Sequence, residues 1–123
     1  MYKRTALVIG MAALAGIGLT KTTRAFDPDQ VEQLKTTHKC VQCDLSDAQL
    51  NAFDLDNADL SGANLYRAQL YGAHLRGANL AGAILDEANL KLANLSGATD
   101  AALAGAVTDE RTVCPDGSNG PCR

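Results

Sequence analysis

The chain has 123 residues, with 11 Lys and Arg against 14 Asp and Glu, three Tyr, two Phe and no Trp. That length holds one small domain, and the shortage of large side chains excludes a broad aromatic core: whatever is buried must be narrow and aliphatic. The acidic balance argues against nucleic acid as a partner.

Residues 1–25 read as a signal peptide. Lys3 and Arg4 precede an apolar run of 14 residues from Ala6 to Leu19, too short to span a bilayer and the right length for a secretory core. Ala25 and Thr23 provide small residues for cleavage after position 25. Cleavage would remove four of the 11 basic residues and none of the 14 acidic ones, leaving 7 − 14 = −7. The expected product is exported, has no stable membrane insertion and is a monomer.

Residues 26–42 are predicted to form a short helix and a junction. Asp27 is placed to cap the helix, Pro28 suits its first position, and Asp29 and Glu32 put negative charge at the positive end of the helix dipole. Val31 and Leu34 share one stripe, too small to stand alone, so this helix must lie on something.

From Cys43 to Gly97 the chain divides into eleven pentads. The third position is Leu in all eleven, from Leu45 to Leu95, and the first is Ala in nine, Cys43 and Phe53 being the exceptions. The second position is mostly Asp, Asn or Gln, and the fifth is Gly at 62, 72, 77, 82 and 97. A period of five matches neither helix nor strand and signals a repeat architecture.

These pentads resemble the pentapeptide-repeat family, whose pattern is A(D/N)LXX. The resemblance implies an all-β fold, a right-handed quadrilateral β-solenoid with four pentads per coil, spanning residues 43–110 and carrying a short N-terminal capping helix. Leu and Ala would fill the thin interior, and Gly at the fifth position would relieve corners that need positive φ. Charge gives an independent check on coil length. A 20-residue coil stacks Asp47, Arg67 and Glu87 in one column and Asp56 under Arg76, all opposite-charge contacts, whereas a 15-residue coil stacks Asp44 on Asp59 and Arg76 on Lys91. Register breaks after Ala98, where Asp100 falls in a leucine slot, and resumes with Ala101–Leu103 and Ala106–Thr108. Both ends of such a tube need covering. The helix would cover one end, with the bulky Phe53 tolerated beneath it, and the tail 111–123 the other.

Four cysteines in an exported chain point to two disulfides. Three coils separate Cys40 and Cys43 from Cys114 and Cys122 by roughly 10–15 Å along the axis, beyond disulfide reach, so each end is expected to be stapled to itself. A redox role for the Cys40/Cys43 pair is the alternative; zinc on all four sulfurs would need the two ends to meet. No cofactor and no metal site are expected.

The flanks, with "CVQCDLSDAQL" after the helix and a closing "CPDG", are similar to small exported cyanobacterial pentapeptide-repeat proteins, which implies the thylakoid lumen or periplasm. Some family members mimic duplex DNA and bind DNA gyrase, a role that export would rule out. His74 stacks over Asp54 without a nucleophile or pocket, so no catalytic residues are assigned. The acids of the first coil, Asp44, Asp47, Asp54, Asp56 and Asp59, read as a solvated surface. Tyr66, Arg67, Tyr71 and Arg76 at outward positions, with apolar Ile84 and Leu92, are the candidate contacts for an unidentified protein partner. Ile84 and Leu92 are also placed to meet the returning tail.

Overall fold

The computed structural model describes residues 26–123. The signal-peptide reading of residues 1–25 lies outside the described residues.

Helix α1 spans Pro28–Thr37. Asp27 is extended, and its carboxylate accepts from the Asp29 N–H at 2.9 Å, satisfying one of the orphan donors of the first turn. His38 ends the helix in the left-handed region (φ 57°), its N–H donating to the Leu34 carbonyl. Leu34 is fully buried, with Val31 packed beside it at the core. The helix also pairs polar groups that the first coil, with no coil before it, would leave open. Asp27 N–H donates to the Asp44 carbonyl (3.2 Å), and Asp44 N–H donates to Gln30 Oε1 (2.6 Å).

Beyond α1 the backbone returns to the same place every 20 residues, or four pentads. Parallel bridges join Lys39 to Asp59, Asp44 to Asn64, Gln49 to Gln69 and Asp54 to His74, and the series continues in steps of five to Asn79 and Thr99. Pentads with a coil on both sides repeat the same bonds. The second residue donates to the coil before it and the third to the coil after it, as in Gln69 N–H to Ala48 O (2.8 Å) and Leu50 N–H to Gln69 O (2.7 Å). A tight turn then closes the corner, as in Ala63 N–H to Leu60 O (3.0 Å). The leucines from Leu45 to Leu95 are all 1% exposed or less, and the alanines of the first slot from Ala58 to Ala93 are buried beside them. Each leucine contributes about 2 kcal/mol of burial.

The fifth residue turns the corner with positive φ in all eleven pentads. Five are Gly, and the other six, Asp47, Ala52, Asn57, Arg67, Glu87 and Leu92, have φ between 58° and 63°. The glycine pattern in the sequence therefore marks a conformation that every corner adopts, including those without Gly. Two of the three expected charge contacts form, Arg67 to Asp47 at 3.1 Å and Arg76 to Asp56 at 2.6 Å. Glu87, expected over Arg67, partners the Tyr66 hydroxyl instead.

The pairing extends past residues 43–110 at both ends. Lys39 is already bridged, and Cys40 fills the leucine slot of a pentad at 38–42, fully buried. At the other end Ala98, Thr99 and Asp100 form a side cut short by two residues, so that Asn89 meets Val107 only 18 positions on. Asp100 stays exposed, because a carboxylate in the leucine slot would be desolvated without a partner. Arg111 is then inserted, and Thr112, Val113 and Cys114 take the first three slots of another pentad, with Asn94 bridged to Val113. Buried Thr112 satisfies its hydroxyl by donating to the Leu90 carbonyl at 3.0 Å.

The tail folds back antiparallel on this last side. Val113 bridges Asn119, Cys114 N–H donates to the Ser118 carbonyl (2.7 Å), and Gly120 N–H donates to the Thr112 carbonyl (2.7 Å). The described chain has two disulfides, Cys40–Cys43 and Cys114–Cys122, with Cα separations of 5.3 and 5.5 Å. Cys40 and Cys114 both stand in leucine slots, one at each end of the stack. Half-buried Phe53 occupies an alanine slot of the first coil, with Lys35 Nζ 5.8 Å from its ring centre. Among the described residues no helix is long and apolar enough to cross a membrane.

Candidate functional site

The four sides of each coil give the outward residues fixed addresses. On the first face, pentads 43–47, 63–67 and 83–87 carry Tyr66, Arg67 and Ile84. The second face, 48–52, 68–72 and 88–92, carries Tyr71 and ends in Leu92. The third, 53–57, 73–77 and 93–97, carries Asp54, Asp56, His74 and Arg76.

Tyr66 and Tyr71 are 38% and 41% exposed. Arg67 lies 5.9 Å from the Tyr66 ring centre, and the Glu87 carboxylate beside the Tyr66 hydroxyl pushes that phenol above its ordinary value. Tyr71 N–H donates to Asn51 Oδ1, one coil earlier on the same face, at 2.9 Å. Ile84 and Leu92 remain 47% and 40% exposed. The tail folds back along the third face at Val113 and leaves both partly open to water, with Arg111 and Val113 flanking Leu92 across one groove.

On the third face Asp56 accepts from Arg76 three times: from its backbone N–H (2.9 Å), from Nε (3.0 Å) and from the terminal nitrogen (2.6 Å). The Arg76 guanidinium holds the Asp56 carboxyl below its ordinary range. Asp54, Asp56 and His74 place one polar atom each within 4.8 Å of one another. Arg76 already pairs with Asp56 there.

Arg76 and Leu92 come together at the corner between the second and third faces. They line a groove of ≈450 Å³ with Gly72, His74, Arg111 and Val113. Sequence reasoning missed Arg111 and Val113. Arg111 is an inserted residue that belongs to no pentad, and the pentad starting at Thr112 has neither Ala nor Leu to announce it. Asp109 holds this wall. Its side chain accepts from the backbone N–H of Leu92 (3.3 Å) and of Arg111 (3.1 Å), and lies 3.7 Å from the Arg111 guanidinium. Partial burial pushes its carboxyl up, but the hydrogen bonds from Leu92, Thr112 and Arg111 outweigh this and hold it below the ordinary value.

No curated protein sequence matches the chain. Among solved structures it is similar to alr5209, a pentapeptide repeat protein from Nostoc PCC 7120, at 28% identity and a TM-score of 0.55, covering 84% of this chain and 93% of that one. It is also similar to HetL, a pentapeptide repeat protein involved in heterocyst differentiation regulation from Nostoc sp. strain PCC 7120. There the identity is 36% and the TM-score 0.37, covering 67% of this chain and 40% of HetL. Rfr23 from the cyanobacterium Cyanothece 51142 matches at 25% identity and a TM-score of 0.37, covering 71% of this chain and 98% of that one. The family model for pentapeptide repeats matches residues 43–80 and 68–106 in eight copies. With the 20-residue coil built on those same pentads, this chain belongs to the pentapeptide-repeat family.

Proposed function

We propose that this protein is an exported, non-catalytic interaction module, a right-handed quadrilateral β-solenoid that presents the second face and its flanking corners to a protein partner. The observation that carries the reading is the exposure of large apolar and aromatic side chains at outward slots elsewhere filled mainly by polar residues and glycine. Tyr66, Tyr71, Ile84 and Leu92 are all between 38% and 47% exposed. Such residues, next to Arg67 and Arg76, are the kind enriched at protein contacts. The chemistry of the first 25 residues supports export to the periplasm or thylakoid lumen, and the monomer is the working unit.

A redox role for Cys40 and Cys43 is the weaker reading. They are 0% and 5% exposed and form part of the core, so an attacking thiolate reaches their sulfurs only after the first coil opens.

The test is a photo-crosslinker placed at Tyr71 and, as a control on the fourth face (pentad 58–62), at Ser61, in cells expressing the full chain. Expected are a specific adduct from position 71, none from position 61, and a mature mass beginning near Phe26. Equal labelling from both positions, or none from either, overturns the interaction reading; a chain that keeps Met1 overturns export.

A further inference from the structure

The two ends of the stack are closed in different ways. Helix α1 is anchored by apolar burial, with Leu34 fully buried and Val31 packed against the core. Asp27 N–H and the Gln33 side chain add hydrogen bonds to the carbonyls of Asp44 and Lys39. None of these contacts needs the Cys40–Cys43 bond. The closing stretch, residues 116–123, has no Leu, Ile, Val, Met, Phe or Tyr, and Cys122, 9% exposed, is its one buried side chain. Apart from that sulfur it is held by hydrogen bonds: Gly117 N–H to the Cys114 carbonyl, Cys114 N–H to the Ser118 carbonyl, Gly120 N–H to the Thr112 carbonyl and Cys122 N–H to Thr108 Oγ1. Each such bond returns little against water, whereas ordering eight residues, two of them glycine, costs more. The stretch therefore stays in place because Cys122 is bonded to Cys114, which fills the last leucine slot.

We propose that Cys114–Cys122 is a redox latch: the closing stretch seals the last coil only while this bond exists, and in the dithiol form it swings free of a folded solenoid. Cys114 N–H and the Thr112 carbonyl then lose their partners and leave an unpaired edge at the end of the stack. The latch closes by exchange with a disulfide oxidant, RSSR. The Cys122 thiolate attacks one sulfur of RSSR and releases one thiol; the Cys114 thiolate attacks Sγ of Cys122 and releases the second. Two protons and two electrons leave the cysteines, and the oxidant departs as two thiols. Once closed, Cys114 and Cys122 are 6% and 9% exposed, so an attacking thiolate reaches the bond only through local opening. The proposal rests on the export reading for where the oxidant is met, since disulfides persist outside reducing compartments; the latch itself does not.

The experiment is amide hydrogen exchange, followed by NMR, on the mature protein and on Cys122→Ser, which stands in for the open form and leaves every core slot unchanged. In the variant the Gly120 amide should exchange about a hundredfold faster than in the parent, with the Cys114 amide accelerated as well, while Leu75 and Leu90 keep their protection. Cys122→Ala must give the same answer, which separates loss of the bond from any effect of the serine hydroxyl. A Gly120 amide as protected in both variants as in the parent overturns the proposal. Loss of protection at Leu75 and Leu90 as well makes the bond a determinant of the whole fold rather than a latch, and also overturns it. Protection that follows the bond in a chain found to keep Met1 upholds the latch while the export reading fails.

Discussion

Arg76 and Asp56 belong to different coils, 20 residues apart, and meet only because the backbone returns to the same face. Their ion pair has a definite pH signature. The Asp56 carboxyl is lowered from its ordinary 3.8 by the Arg76 guanidinium. Stabilisation from this carboxylate is therefore complete above the unfolded value and is lost as pH falls through the lower folded value. Asp59 and Asp116, held down by the Ser61 and Ser118 hydroxyls and backbone N–H groups, act in the same direction. Asp56→Asn should lower the melting temperature at neutral pH, and the gap from the parent should close as pH falls through the lowered folded value, below which both states are protonated. Melts from neutral to strongly acidic pH check this; a gap constant across that range would sink it. The corners give a second residue-scale prediction. At Gly97 (φ +74°) an added Cβ meets only ordinary contacts with Gly77, so Gly97→Ala should cost about 1 kcal/mol for its left-handed conformation alone. Gly77→Ala bears that cost and also drives its Cβ into the Asn57 side chain, so it should cost more. Equal losses in denaturant titrations would show that the stacked corners relax freely.

At the scale of the element, a pentad is one buried leucine, one buried alanine and a corner. Leu75 is enclosed by coils before and after it, and the hydrogen-bonded backbone around it cannot collapse inward. Leu75→Ala should therefore fall in the upper part of the usual range for core leucines, about 3–5 kcal/mol. Phe53 sits half-exposed at the edge of the first coil. Phe53→Ala, for all its larger volume change, should cost less, and chemical denaturation of the two variants decides the order. Pentads 43–97 were legible because burial dictates two of every five residues, and the 20-residue return was legible because charges in the outward slots record which pentads share a face. Glu87 was misassigned because outward side chains choose between neighbours: of two adjacent residues in the preceding coil it meets Tyr66 rather than Arg67. The added pentads at both ends were illegible for a different reason. Cys40 and Cys114 stand where leucine would be, and a disulfide fills a core slot without leaving an apolar pattern to count. The same burial sets their chemistry. Under native conditions mild dithiothreitol should leave both bridges intact, with reduction appearing only as the protein unfolds; rapid loss of Cys40–Cys43 from the folded protein would revive the redox reading.

For the whole molecule, stability is a sum of coil-to-coil contacts bounded by two local caps. Helix α1 touches only the first coil, through Asp44, Lys39 and the Cys40–Cys43 bridge. The tail bonds to the last two sides, through Thr108, Thr112 and Cys114. Neither cap measures the distance to the other, so the number of coils is free to change while the register within them is not. Deleting residues 63–82, one full coil, joins Gly62 to Ala83 and leaves every leucine slot over a leucine slot. The product should fold with both disulfides formed and melt at a lower temperature than the parent. Deleting residues 63–84 instead moves Glu87 into a leucine slot and Leu85 into an alanine slot. The chain tolerates one such side, 98–100, near the end of the stack with Asp100 turned to water. Here the short side 85–87 would stand between coils and leave Glu87 desolvated or its leucine slot empty, so this variant should melt below the 20-residue deletion. Circular dichroism melts and disulfide mapping rank the two. Equal melting temperatures, or an unfolded 20-residue deletion, would show that the interior is not ruled by the five-residue slots.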